Sequence, residues 1–286
     1  MRKLERVGQT EWRFDWPRAF WDEYEAIDEA VNLYNTGKGA DAERTLRSVL
    51  ERMPEHLDAR WQLAGFLRHR GQVTEAADLW RGALELGRTA FPPGAFRSGR
   101  DRLEWGWMEN RPFLRCLESW MHARAEVGAR AEVLGYAREL LALNPNDNQG
   151  VRCVAMTWLL EAGGNEDAAA LAEAYPEDSF AETTYGHALA LFRLGRFDQA
   201  DDTLRAAIGD LPLVAAELLK TKHRAPRRRY PGSITVGGAD QAYDYWQSDG
   251  AIWGASPAAM DWLRRVQTIV KAVGTGDTGG DSHAGS

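Results

Sequence analysis

The chain has 286 residues, 44% of them hydrophobic and 27% charged, and its formal net charge is −7. That balance fits a folded body rather than a disordered one, and the negative sign speaks against a general nucleic-acid binder, which carries a basic footprint. No apolar run approaches the ~18 residues that a bilayer-crossing helix needs. The basic N-terminal stretch has no apolar core behind it, so no secretory signal is expected either.

Taken in order, residues 1–22 are rich in aromatics: Trp12, Phe14, Trp16, Phe20 and Trp21. Pro17 stands where a helix can begin. An N-terminal aromatic cap is expected here, with a docking surface as the alternative. From about 23 to 53 the pattern is two amphipathic helices joined by a tight turn, with Ala30, Gly37, Ala42, Leu46 and Val49 at its key positions. Residues 57–87 repeat it with Ala64, Gly71, Ala76, Trp80 and Ala83, and both Gly37 to Gly71 and Ala42 to Ala76 are steps of 34. Small residues belong at such places because paired helices approach closely only where side chains are short.

The period breaks over 88–112, where Pro92, Pro93 and Gly94 rule out a continuous helix. This insertion carries Trp105 and Trp107, which pack back onto the neighbouring helices or contribute to recognition. A third unit spans 114–145 with Leu117, Met121, Gly128, Val133, Ala137 and Leu140 in register. The stretch Asn144 to Gly150 resembles a calcium loop but fails, because its glycine is one place late and Ala155 stands where a bidentate Glu is required. It reads as a turn, with Asn148 able to cap the next helix.

Residues 148–176 form a degenerate unit, and 181–212 form the clearest copy, with Ala188, Leu191, Gly195, Ala200, Leu204, Ala207 and a stop at Pro212. A further helix is expected over 213–220. The basic run Lys220, Lys222, Arg224, Arg227, Arg228 and Arg229 follows, and the segment 232–238 is too short to read as a strand. Two closing helices are expected over 240–249 and 256–273, then a Gly-rich disordered tail from 274 to 286.

A helix–turn–helix of this period, with these small residues, resembles the tetratricopeptide repeat (TPR). The resemblance implies an all-α, right-handed superhelical solenoid of antiparallel helix pairs. About five pairs would occupy 23–212, between the cap 1–22 and capping helices 213–273. It also implies a non-catalytic scaffold that holds a protein or peptide partner in its concave groove. The family's ligand-facing positions fall here on Tyr24, Ile27, Val31, Leu189 and Phe192, and on the nine candidates Tyr34, Trp61, Arg68, His69, Arg115, Glu118, His122, Tyr185 and Arg193. With Trp105 and Trp107 these nine make the candidate partner-binding set, suited to a peptide with apolar anchors and some acidic groups. Where one TPR subset grips a peptide's C-terminal carboxylate with Lys and Asn, this chain has Ile27, Val31, Trp61 and Gly65, so that clamp is not expected.

No phosphate-binding glycine loop, zinc pair or nucleophile elbow is present, so no catalytic residue, cofactor or metal ligand is expected. Cys116 and Cys153 are the only cysteines and sit in helical patterns, which fits a reducing cytoplasm better than a disulfide framework. Two alternatives stand beside the scaffold. One is an adaptor whose basic run 220–229 meets nucleic acid or another polyanion, and the other is an enzyme built on the 88–112 insertion.

Overall fold

The same turn recurs five times among the described residues, always through a glycine. Gly37, Gly71, Gly128, Gly163 and Gly195 have φ of 83°, 82°, 76°, 75° and 75°, a left-handed geometry that costs other residues ~1–2 kcal/mol. In each turn the next residue donates its N–H to a carbonyl five positions earlier. The pairs are Lys38 to Leu33, Gln72 to Leu67, Ala129 to Arg124, Gly164 to Leu159 and Arg196 to Leu191, at 2.8–3.1 Å. This closes the first helix of each pair and aims the chain back along it.

The structure, a computed structural model, describes residues 3–96, 99–228, 230 and 232–276. The chain divides into two compact units that meet between Val151 and Arg152. In the first unit, strands β1 (Lys3–Arg6) and β2 (Trp12–Asp15) precede a short helix α1 (Arg18–Asp22). The helix pairs α2 (Tyr24–Asn35) with α3 (Gly39–Arg52), and α4 (Leu57–His69) with α5 (Val73–Arg88), follow. After the insertion, which ends in a 3₁₀ turn (Met108–Asn110), comes the pair α6 (Arg111–Glu126) and α7 (Arg130–Leu143). Ala30, Ala42, Ala64 and Ala76 are fully buried where the helices of a pair meet, beside Leu46, Val49 and Leu67. Gly87 allows the tightest approach in this unit, since a Cβ there would lie 2.4 Å from the buried Phe113 ring.

The sequence suggested no strand in residues 1–22, yet β1 and β2 pair antiparallel with Leu4 opposite Phe14. Each strand is only four residues long, and the pair is extended by the insertion rather than by its own neighbours. Trp12 N–H donates to Arg102 O at 2.9 Å, and Arg102 N–H donates to Thr10 O at 2.7 Å. An aromatic file then runs inward: Phe14 on Trp16 at 4.9 Å, Trp16 on Phe20 at 4.3 Å, and Phe20 on His56 at 4.0 Å. His56 caps α4 by accepting the Ala59 N–H on Nδ1, which leaves the proton on Nε2 to donate to Phe20 O at 3.0 Å. Burial pushes its pKa down, consistent with a neutral ring.

In the second unit α8 (Val151–Glu161) pairs with α9 (Asn165–Glu173), and α10 (Ala181–Arg193) with α11 (Phe197–Asp210). Then come α12 (Pro212–Leu218), α13 (Ala239–Gly254) and α14 (Pro257–Gly276). Asp147, not Asn148, accepts the Val151 N–H at the start of α8, at 2.8 Å. Helix α14 runs to Gly276, past the end at 273 that the sequence suggested. Residues 277–286 of the expected disordered tail, and Arg229 of the basic run, lie outside the described residues.

Candidate partner-binding site

The site in the first unit grows from a buried charge. Asp58 sits in the first turn of α4, where the helix dipole favours an anion, and it is 2% exposed. Its carboxylate accepts the Tyr24 hydroxyl at 2.5 Å and the Arg115 guanidinium at 3.1–3.2 Å. Burial, then the Asp58 charge, pushes the Tyr24 phenol well above its ordinary value, so it stays a donor. Arg115, on α6, is thereby held over two indoles, 5.2 Å from the Trp61 ring and 5.6 Å from the Trp105 ring. Trp61 is fixed in turn by donating Nε1–H to Ser119 Oγ at 2.9 Å.

Trp105 reaches this place because the insertion is tied at several points. Asn144 accepts the Trp105 N–H at 3.2 Å, and Arg111 donates to Trp105 O at 3.0 Å while lying 5.3 Å over its ring. The insertion therefore reaches the face formed by α4 and α6, with Trp61, Trp105 and Arg115 each half-buried. Cationic and aromatic groups held rigidly and half-exposed are what a peptide anchor requires.

The other candidates in this unit divide. Glu118 accepts from Gln149 at 2.5 Å, and burial raises its pKa; His122 on the same helix has its pKa lowered by burial. Tyr34 stacks on Phe66 at 3.9 Å and shares a 2.9 Å hydrogen bond with His69, while Arg68 pairs with Glu126 across to α6. Trp107 does not join Trp61. It lies against Arg13 of β2, 4.9 Å from the guanidinium.

Two candidates in the second unit are corrected. Tyr185 is fully buried, donates its hydroxyl to Leu211 O at 2.8 Å, and packs on Tyr245 and Trp253 at 5.8 and 6.4 Å. Arg193 donates to the carbonyls of Leu160 and Ile252, each at 2.9 Å. The cause is the C-terminal pair of helices: α13 covers the outward face of α10, and Trp262 of α14 stacks on Phe192 at 4.5 Å. Tyr185 is thereby closed to a partner, and the half-buried Arg193 is committed to carbonyls of its own unit.

Sequence reasoning did not single out Asp58, Asn110 or Ser119. Asp58 reads locally as a favourable charge at a helix start, and only the α6 pairing gives it a second role. Among the described residues no group of three or more His, Cys, Asp or Glu side chains is placed to hold a metal ion. Nor is any described helix long and apolar enough to cross a membrane.

Comparison with known proteins gives a family and several fold neighbours. The family described as "Transcriptional repressor TCF25" (Tcf25) matches residues 24–266. A curated protein from Ampulloclitocybe clavipes, a probable transcription factor called claV, is 31% identical over 105 residues. That match covers 36% of this chain and 13% of the claV protein. A tetratricopeptide repeat protein from Parabacteroides merdae is 15% identical, with 90% of this chain and 88% of that one covered, at a TM-score of 0.49. YrrB, described as a TPR protein with an unusual peptide-binding site, is 17% identical over 65% of this chain and 85% of its own, at 0.48. The helix pairs of the chain itself, with their repeated glycine turns, make the fold all-α and TPR-like.

Proposed function

Because the chain belongs to the Tcf25 family, we propose that it is a non-catalytic interaction module of a transcriptional regulator, holding a protein partner on the α4–α6 face of its first unit. The observation that carries this reading is Arg115, fixed by buried Asp58 and poised over Trp61 and Trp105. An extended or helical segment with an apolar anchor would lie against the indoles, and its acidic groups would meet Arg68 and Arg115. Tyr185 is buried and Arg193 is committed to two backbone carbonyls of the second unit, so neither belongs to this face. The free cysteines suit any reducing compartment, and the family's description favours the nucleus over the cytoplasm as the place of action.

A tethering assay tests the proposal. The chain is fused to a heterologous DNA-binding domain and directed to a reporter, alongside its Trp61→Ala variant. Repression by the first and none by the second, at equal protein levels, is expected. Equal repression by both would remove the α4–α6 face from the function. Imaging of a fluorescent fusion checks the compartment, and exclusion from the nucleus would contradict a direct transcriptional role.

A further inference from the structure

The segment between α12 and α13 carries the basic run, and its path is fixed by side chains that turn inward. His223 stacks on Trp246 of α13 at 3.7 Å and 7°, with its Nδ1 2.9 Å from the buried Glu217 carboxylate. Lys220 pairs with the same carboxylate, and these hydrogen bonds hold Glu217 below the usual carboxylate range although burial opposes it. Arg228 pairs with Asp244 and donates to Ser233 O at 3.1 Å. Farther on, Asp240 and Gln241 in the first turn of α13 accept the Thr235 and Gly237 N–H groups at 2.8 and 2.7 Å.

Those ties leave a distinct outer set. Lys222, Arg224 and Arg227 are exposed, and among the described residues none of the three has a carboxylate within ion-pair reach. Ile234 and Val236 stand exposed on the same pinned segment, at 57% and 71%. The Arg228 to Ser233 hydrogen bond joins the stretch that carries the three cations to the stretch that carries Ile234 and Val236.

We propose that Lys222, Arg224, Arg227, Ile234 and Val236 form a second docking surface, one that takes an acidic, aliphatic-rich peptide segment of a partner protein. The charges are complementary at short range, where screening over about 8 Å lets local cations outweigh a net charge of −7 carried elsewhere on the chain. Nucleic acid fits less well. His223 and Trp246 are stacked on each other rather than presented for base stacking, and a phosphodiester chain has no use for Ile234 and Val236. The surface lies in the second unit and does not draw on the α4–α6 face.

The test uses the full chain and fluorescence anisotropy with three labelled probes: a short peptide alternating Glu with Leu, its Gln–Leu counterpart, and an oligouridylate of equal length. The Glu–Leu peptide is expected to bind, weakening as salt rises. The triple variant Lys222→Ala, Arg224→Ala, Arg227→Ala should lose about tenfold in affinity, as three exposed ion pairs imply. The pair Ile234→Ser, Val236→Ser should lose several-fold, and Phe197→Ala, at an exposed residue of α11 outside both surfaces, should bind as wild type. Since all five side chains are exposed, unchanged melting curves will confirm that the variants are folded. Equal binding by the triple variant, equal binding of the Gln–Leu peptide, or loss of binding in Phe197→Ala would each overturn the proposal. Tighter binding of the oligouridylate would assign the strip to nucleic acid instead.

Discussion

The Arg115 guanidinium donates to the Asp58 carboxylate from a neighbouring helix pair, so the half-exposed cation of the α4–α6 face is held in place by a buried anion of the core. Asp58 also receives the Tyr24 hydroxyl from the first helix pair. One carboxylate thus links α2, α4 and α6. Removing Arg115 would leave Asp58 buried with a single remaining side-chain donor, and Arg115→Ala is expected to cost ~2–4 kcal/mol. The double change Asp58→Asn, Arg115→Met should cost less than Arg115→Ala alone, because no uncompensated charge remains. Urea unfolding monitored by tryptophan fluorescence measures both, and a neutral Arg115→Ala would show that Asp58 is satisfied without it.

Asn110 joins segments far apart in sequence. Its amide oxygen accepts the Phe14 N–H at 3.1 Å, and its amide nitrogen donates to Trp12 O and Glu104 O at 3.0 and 3.1 Å. Asn110→Ala should destabilise by ~2–4 kcal/mol, since it strands a buried N–H and two carbonyls. Hydrogen exchange should then accelerate in β2 and in the insertion together. Faster exchange in only one of them would show that the two segments hold independently.

Gly87 and Phe113 are in contact at a distance that admits no Cβ. Gly87→Ala gains helix propensity but forces the buried Phe113 ring aside, and overpacking of this kind costs ~1–3 kcal/mol. A lowered melting temperature is expected, partly recovered by Phe113→Leu in the same chain. A raised one would mean the ring moves freely.

Asp249 of α13 is buried, with one carboxylate oxygen accepting from Thr157 and Ser248 and the other without a hydrogen-bond partner among the described residues. Burial, with Glu182 and Glu161 nearby, pushes its pKa up to about 6 from 3.8. A carboxyl whose folded pKa is raised favours the fold when protonated. Its contribution is full below the unfolded value and lost as pH rises through the folded one. Asp249→Asn should therefore stabilise the protein at pH 7.5, by about 1–3 kcal/mol. The gain should vanish near pH 4. A destabilising Asn at both pH values would show that the ionised carboxylate is needed.

Much of the fold was legible because each helix pair carries its own signal. The 34-residue steps between Gly37 and Gly71, and between Ala42 and Ala76, follow from a turn that needs positive φ and a contact that needs a small side chain. The β1–β2 hairpin was not legible, since its lateral partner, Arg102, is remote in sequence and four-residue strands have no period to speak of. The site was half legible. Trp61 and Arg115 fall on the ligand-facing positions that the repeat implies, and they are together in the structure. Tyr185 and Arg193 fall on equivalent positions, but the first is covered by α13 and the second is tied to its Ile252 carbonyl. The apolar pattern of Tyr245, Ile252 and Trp253 gives a helix without saying which surface that helix will cover. Asp58 could be read as a helix-start charge, whereas its role under Arg115 depends on a contact 57 residues away.

The most direct measurement of the central claim is quantitative mass spectrometry of proteins recovered with the native chain, with Trp61→Ala, and with Phe197→Ala. Phe197 is 59% exposed on α11 and serves as the control. A partner recovered with wild type and Phe197→Ala but depleted at least tenfold with a folded Trp61→Ala, equivalent to ~1.4 kcal/mol or more, is the expected result. Undiminished recovery of every partner with Trp61→Ala would contradict the account.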